Sequence, residues 1–267
     1  GRAVKWGRSL YRNIQRFILF QLTVNVAACL IVMVGAFLGI ESPLSVTQML
    51  WVNLIMDTFA ALGLSTLPPS DAVMREKPRS QNAFIITKPM WRMIIGTGLI
   101  FFVLLLGLLV FLQHTYIDSL LDVDIYAIGE YHGLTPYELS IFFTTFVFLQ
   151  FWNMFNAKAM ASGQSALNLR GCGSFLFILL IIFIGQIGIV EIGGAFFNVV
   201  PLKLADWLII IGGTSVVLWV GELLRLFNAL GRKLSAVRAA RRQAKIEAKL
   251  SAAAYEESSE ETAEENE

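Results

Sequence analysis

The sequence predicts an all-α fold: a polytopic transmembrane bundle of six helical spans with both termini in the cytoplasm. Three observations predict it. Of 267 residues, 56% are hydrophobic and only 15% charged, whereas a soluble domain carries about a quarter charged residues. The apolar residues are grouped in blocks long enough to cross a hydrocarbon core roughly 30 Å thick, which takes about 20 helical residues. Basic residues concentrate in alternate connecting segments, the asymmetry that sets orientation by the positive-inside rule. Helices are the spanning form because lipid offers no partner to an open backbone group, and the runs lack the alternation of a barrel strand.

The elements follow in chain order. Residues 1–16 carry Arg2, Lys5, Arg8, Arg12 and Arg16 and read as a cytoplasmic stalk. The opening GRAVKWGRSLYRNIQRF has no signal-peptide pattern and reads as the interior of a longer protein. Span 17–40 comes next, then 47–67, stopped by Pro68 and Pro69. The following loop holds Arg75, Lys77, Arg79 and Lys88, with Arg92 just inside span 90–113. The next loop is acidic (Asp118, Asp122, Asp124, Glu130, Glu138) and is placed outside. Span 139–157 is followed by a loop flanked by Lys158 and Arg170, then by spans 174–197 and 206–227. Lys203 is the single basic residue in the three outside loops.

Residues 228–267 form a cytoplasmic tail, basic and Ala-rich, then acidic (EESSEETAEENE). The basic part is expected as a helix at the anionic leaflet or in solvent, and the acidic end as disordered. With no bulky aromatic anchor between Phe227 and Tyr255, calmodulin is not an expected partner. Nor is nucleic acid; the lipid bilayer is. The net charge of +1 is uninformative because the two signs are segregated. Cys29 and Cys172 lie in or beside apolar stretches and read as buried reduced thiols. His114 and His132 read as surface residues of the outside loop, and Gly35 with Gly39 as a helix-packing pair.

Ionisable residues at mid-membrane cost on the order of 3 kcal/mol even on lenient insertion scales. The second span contains one, Asp57, with Asn53 four residues earlier, which in an α-helix shares its face. Carboxylate and amide oxygens on one inward face suit a hard cation such as Ca2+, which takes six to eight oxygen ligands. The competing reading makes Asp57 a protonated or hydrogen-bonded packing residue, although no basic residue lies deep in any span to neutralise it. The first span offers Gln21, Thr23 and Asn25. Asn25 lies about 12 Å and Asp57 about 15 Å from the cytoplasmic side, so antiparallel neighbours bring them level. Asn25 is equally readable as a ligand or as an interhelical hydrogen-bonding residue. Gln150, Asn153 and Asn156 form a polar stripe on the fourth span, read as interhelical bonding.

WVNLIMDTFAALGLSTLPP, preceded by FQLTVNVAACL and followed by REKPR, closely resembles the carboxy-terminal membrane half of P-type Ca2+-ATPases. The plasma-membrane (calmodulin-regulated) type or its bacterial counterparts fit best. FFTTFVFLQFWNMFNAKAM and GQIGIVEIGG…FNVVPLKLADWL are similar to that group's later spans. The resemblance extends to about Leu226 and implies that the six spans are the family's fifth to tenth helices.

The resemblance also implies site residues. In two-site reticulum-type pumps one site uses an Asn and an Asp of the sixth helix, matched here by Asn53 and Asp57. Of the other site, Asn25 matches, but Ala28 replaces a Glu, Met56 a Thr and Gln150 a distal Glu. A second divalent ion would meet almost no anionic partner in a low-dielectric interior, so one Ca2+ per cycle is implied, with metal ligands Asn53 and Asp57 and Asn25 in support. The family's DKTGT, TGE and PEGLP-type strings do not occur in these residues. This stretch is therefore expected not to hydrolyse ATP alone. It needs an amino-terminal half with actuator, nucleotide and phosphorylation domains and four helices, where ATP and Mg2+ act. The expected location is the plasma (inner) membrane. Two alternatives stand: a P-type pump for Na+, K+ or H+, or a non-catalytic remnant that modulates a partner.

Overall fold

A computed structural model describes residues 1–80, 82–123 and 129–264, without the side chains of 55, 56 and 252–264. Asp124 of the acidic loop and the Met56 side chain therefore lie outside the described residues. Among the described residues the chain is all-helical, with no strand.

The stalk and the first span are one uninterrupted helix, α1 (Arg2–Phe37). It stops three residues before the expected end of the span, and the reason is Gly39. At φ +69° this glycine takes the left-handed conformation. It donates to the Ala36 carbonyl while Ile40 donates to Gly35, the double-bonded glycine stop that satisfies the last carbonyls of a helix. The Gly35/Gly39 packing pair is thus corrected: Gly39 ends the helix. Cys29 is likewise exposed on α1, not buried, while Cys172 is buried as expected, and both thiols are free.

Residues 46–65 form three consecutive pieces: α2 (Val46–Leu50), a π-helical turn over Trp51–Met56, and α3 (Asp57–Ser65). A short 3₁₀ turn, Asp71–Arg75, follows the proline stop. The later helices are α4 (Lys88–His114), α5 (Pro136–Ala159), α6 (Gly173–Ile192), α7 (Gly194–Phe197), α8 (Leu204–Thr214) and α9 (Val216–Glu264). Sequence explains their starts. Thr87 caps α4 ahead of Pro89, and Thr135 with Glu138 forms a capping box on α5, each satisfying backbone N–H groups that the first turn leaves unpaired.

Among the described residues four helices are long and apolar enough to cross a membrane: Arg2–Phe37, Lys88–His114, Gly173–Ile192 and Leu204–Ser251. The other two expected spans depart for different reasons. Residues 47–67 are divided by the π-turn, and α5, although 24 residues long, is too rich in polar groups.

The chain divides into two compact units, Gly1–Gly221 and Glu222–Glu267. In the first, α5 is the central post, with most of its side chains buried. Phe148 meets Phe183 and Trp207, and Phe155 meets Phe175, edge to face, for example Phe148–Phe183 at 5.6 Å between ring centres, an arrangement the aromatic quadrupole favours; Phe151 meets Phe183 at a tilt. α1 and α4 pack closely where Gly98 meets Val26.

At the basic end, the segment from Ser65 to Ile85 is strapped along the start of α1. Lys5 pairs with Asp71, which holds that carboxyl below its usual range. Arg12 pairs with Glu76 at 2.5 Å. Arg8 donates to the carbonyls of Val73 and Glu76, Asn13 to Ser65 and Leu67, and Gln15 to Ile85. The last turn of α3 is thereby tied to the stalk.

At the opposite end, fully buried Asp206 accepts from the Ser119 hydroxyl at 2.9 Å, the Leu120 N–H at 2.8 Å and the Tyr137 hydroxyl. Buried Glu138 accepts from the Ile117 and Thr135 N–H groups. Two carboxylates taken from sequence as a span start and an outside-loop charge are thus structural anchors. His132 stacks on Tyr116 at 3.8 Å, and both histidines are half-buried instead of lying free on the surface.

The second unit, by itself, is a helical segment in which Arg225 pairs with Glu222 at 2.6 Å. It remains helical through Glu264, where disorder was expected. Ala and Glu are strong helix formers, and no Gly or Pro follows Gly231 to break the run.

Candidate cation site

The site is built on residues 45–65. Ser45 starts α2 with a capping box to Gln48, and the Gln48 amide also donates to the Phe197 carbonyl at 2.8 Å, fixing the outer end of this segment. Beyond Leu50 the backbone widens into the π-turn, and the Asp57 N–H bonds to the Val52 carbonyl, five residues back. Such turns are rare and concentrate at functional sites. The Thr58 hydroxyl donates to the Leu54 carbonyl, so part of the rearranged backbone is satisfied by a side chain. α3 then packs between α1 and α6, with Gly63 letting Ile178 and Phe175 approach.

Asp57 is 5% exposed and, among the described residues, its Oδ1 has no hydrogen-bond partner, which runs against the rule that buried polar atoms are paired. An acceptor kept bare in the interior is what an incoming cation needs.

Asn53 does not share this environment. It is exposed, whereas Asp57 is buried. Asn25 is half-buried on α1, between buried Val24 and Ala27. The packing of α1 on α3 brings together the two helices that carry Asn25 and Asp57, and among the described residues no hydrogen bond joins the three candidates. Thr23 turns back to the Leu19 carbonyl at 2.8 Å and is spent within its own helix.

The polar stripe of α5 divides. Asn156 donates to the Val217 carbonyl at 3.0 Å, the expected interhelical bond. Gln150 is fully buried, yet among the described residues neither its Oε1 nor its Nε2 has a partner. Sequence reasoning missed the π-turn itself and the bond from the Trp51 indole to Gln186 at its start. The only available signal was a glutamine inside an otherwise apolar span, GQIGIV.

Residues 41–227 match the sequence pattern of the family described as Cation transporting ATPase, C-terminus. The chain belongs to this family. Within it, the chain is similar to the bovine Plasma membrane calcium-transporting ATPase 4, 36% identical over 216 residues, which cover 77% of this chain and 17% of the relative. The human protein of that name is 36% identical over 228 residues, 84% of this chain and 17% of the relative. Calcium-transporting ATPase 4, plasma membrane-type, of Arabidopsis thaliana is 37% identical over 218 residues, 81% of this chain and 20% of the relative. The resemblance to the carboxy-terminal region of P-type Ca2+-ATPases, first carried by the second-span motif, therefore holds over most of the chain. The chain spans about a fifth of the length of these relatives.

Proposed function

We propose that these residues form the carboxy-terminal transmembrane part of an ATP-driven calcium pump, exporting one Ca2+ from the cytoplasm per cycle through a site between the first and second spans. The reading has six spans, with 47–67 and 139–157 crossing alongside the four long apolar helices, and both ends in the cytoplasm, supported by the basic loops. The plasma membrane is the location that the relatives' names support. The observation that carries the proposal is the bare Oδ1 of buried Asp57, directly after a π-turn in an apolar helix.

Asp57 supplies the anionic ligand, Asn53 and Asn25 supply neutral oxygens, and an amino-terminal half completes the shell. The exposure of Asn53 suits a ligand that faces a further helix from that half. The neutral Ala28 on α1 and Gln150 on α5, both buried, support a single divalent ion, because a second would lack a carboxylate in a low-dielectric interior. ATP hydrolysis and its Mg2+ belong to the amino-terminal half. Tilting of α1, driven from its stalk, moves α3 directly through the strap between residues 5–16 and 65–85.

The test is Asp57→Asn in the complete pump. It abolishes Ca2+-dependent phosphorylation by ATP. Normal phosphoenzyme in that variant removes Asp57 from the site.

A further inference from the structure

A π-turn is intrinsically poor helix geometry, and in isolation the segment would relax to an α-helical register. Something outside the turn must select it. On the outer side of the turn, the Trp51 indole N–H donates to Gln186 Oε1 at 3.0 Å, with Gln186 fully buried and Trp51 nearly so. The ring lies against Gly185, where an added Cβ would stand 2.8 Å from Trp51 Cη2 and 3.3 Å from Cζ2. Trp51 is the first residue of the π-turn, and α6 is a continuous helix at this level. A rigid aromatic side chain is therefore seated in a slot made by a glycine and hydrogen-bonded to the next residue along.

We propose that Gln186 and Gly185 of α6 are positioning residues for cation binding: through Trp51 they hold the 51–56 turn in the register that buries Asp57. This rests on the calcium-pump reading above. The physical basis is population. If the bound-competent register is only a fraction of the ensemble, apparent affinity falls by that fraction. A register shift of the second span would carry the Trp51 indole away from Gln186 and leave a buried donor and acceptor unpaired, which disfavours the alternative. Gly63, on the same α3–α6 interface but away from the turn, meets only ordinary contacts from an added Cβ, at 3.4 Å and beyond, and serves as a control.

The experiment measures, in the complete pump, the Ca2+ concentration for half-maximal phosphorylation by ATP and the plateau level. Gln186→Leu and Trp51→Phe each raise the half-saturating Ca2+ roughly tenfold, as expected for one unpaired buried polar group, with the plateau kept. The double variant is also shifted about tenfold, not a hundredfold, because one interaction is lost in all three. Gly185→Ala shifts in the same direction, and Gly63→Ala does not shift. Unchanged Ca2+ dependence in the single variants, or shifts that multiply in the double, overturns the proposal. If Gln186→Leu fails to fold, Trp51→Phe and Gly185→Ala decide it by the same criterion. Asp57→Asn run in parallel separates the two claims. Normal phosphoenzyme there sinks the calcium site, whereas its loss together with unshifted Gln186 and Trp51 variants sinks only the positioning role.

Discussion

Removing the Asp206 carboxylate tests the packing at the end of the bundle away from the stalk. Asp206 stands in the first turn of α8 and is fully buried. One oxygen accepts from Ser119 and Leu120, the other from Tyr137, whose hydroxyl accepts in turn from the Lys203 N–H at 3.1 Å. Asp206→Ala leaves these donors without an acceptor. The Leu120 N–H and the Ser119 hydroxyl have little access to water and each costs about 1–3 kcal/mol when unsatisfied. Tyr137 is better hydrated and adds little. The sum is about 3–5 kcal/mol, the range seen when one side of a buried charged network is deleted. Asp206→Asn, which keeps one oxygen, loses about 1–2 kcal/mol. Thermal inactivation of the complete pump in detergent reports the loss, and hydrogen exchange at Leu120 localises it. The expected ranking is wild type above Asp206→Asn above Asp206→Ala, with Leu120 protection lost in the alanine variant. An unchanged inactivation temperature with Leu120 still protected would refute the idea that this carboxylate holds the 115–123 segment to α8.

Two further predictions concern separate contacts. Gly98→Ala places a methyl 2.7 Å from Val26 Cγ1; valine is stiff at χ1 in a helix, so α1 and α4 must separate by some tenths of an ångström, destabilising the pump by about 1–3 kcal/mol. Val26→Ala in the same chain restores most of it, as a thermal-inactivation series checks. Burial first, then the bond to Asp206, pushes the Tyr137 phenol from 10.0 up to about 12. The folded state holds this proton more tightly than the unfolded one, so its stabilisation is complete below pH 10 and is lost as pH rises toward 12. Tyr137→Phe flattens that alkaline decline in a pH series of inactivation temperatures.

Sequence made the helical class legible, along with the four long apolar helices, because block length is a local signal. The stop at Gly39 and the caps at Ser45, Thr87 and Thr135 carry equally local chemistry. The π-turn was not legible. Nothing in WVNLIM demands a five-residue hydrogen bond, and the register is selected by Trp51 meeting Gln186 from a helix 135 positions away. Nor does sequence reveal that Asn53, four residues before buried Asp57, is exposed. The role of Asp206 and the bond from the Ile117 N–H to Glu138 were hidden because a carboxylate at the start of a helix reads as solvated until donors tens of residues distant are known.

On the six-span reading proposed above, the burial of α5 has a consequence for how it enters the bilayer. Ser140, Thr144, Gln150, Asn153 and Asn156 lie along a helix that neighbouring helices surround. Lipid would reject most of these groups, but protein neighbours accept them. During biogenesis this segment has little reason to leave the translocon alone. On that reading it partitions once α4 or α6 is beside it to shield its polar edge, so neighbours must be in place before this helix settles in lipid.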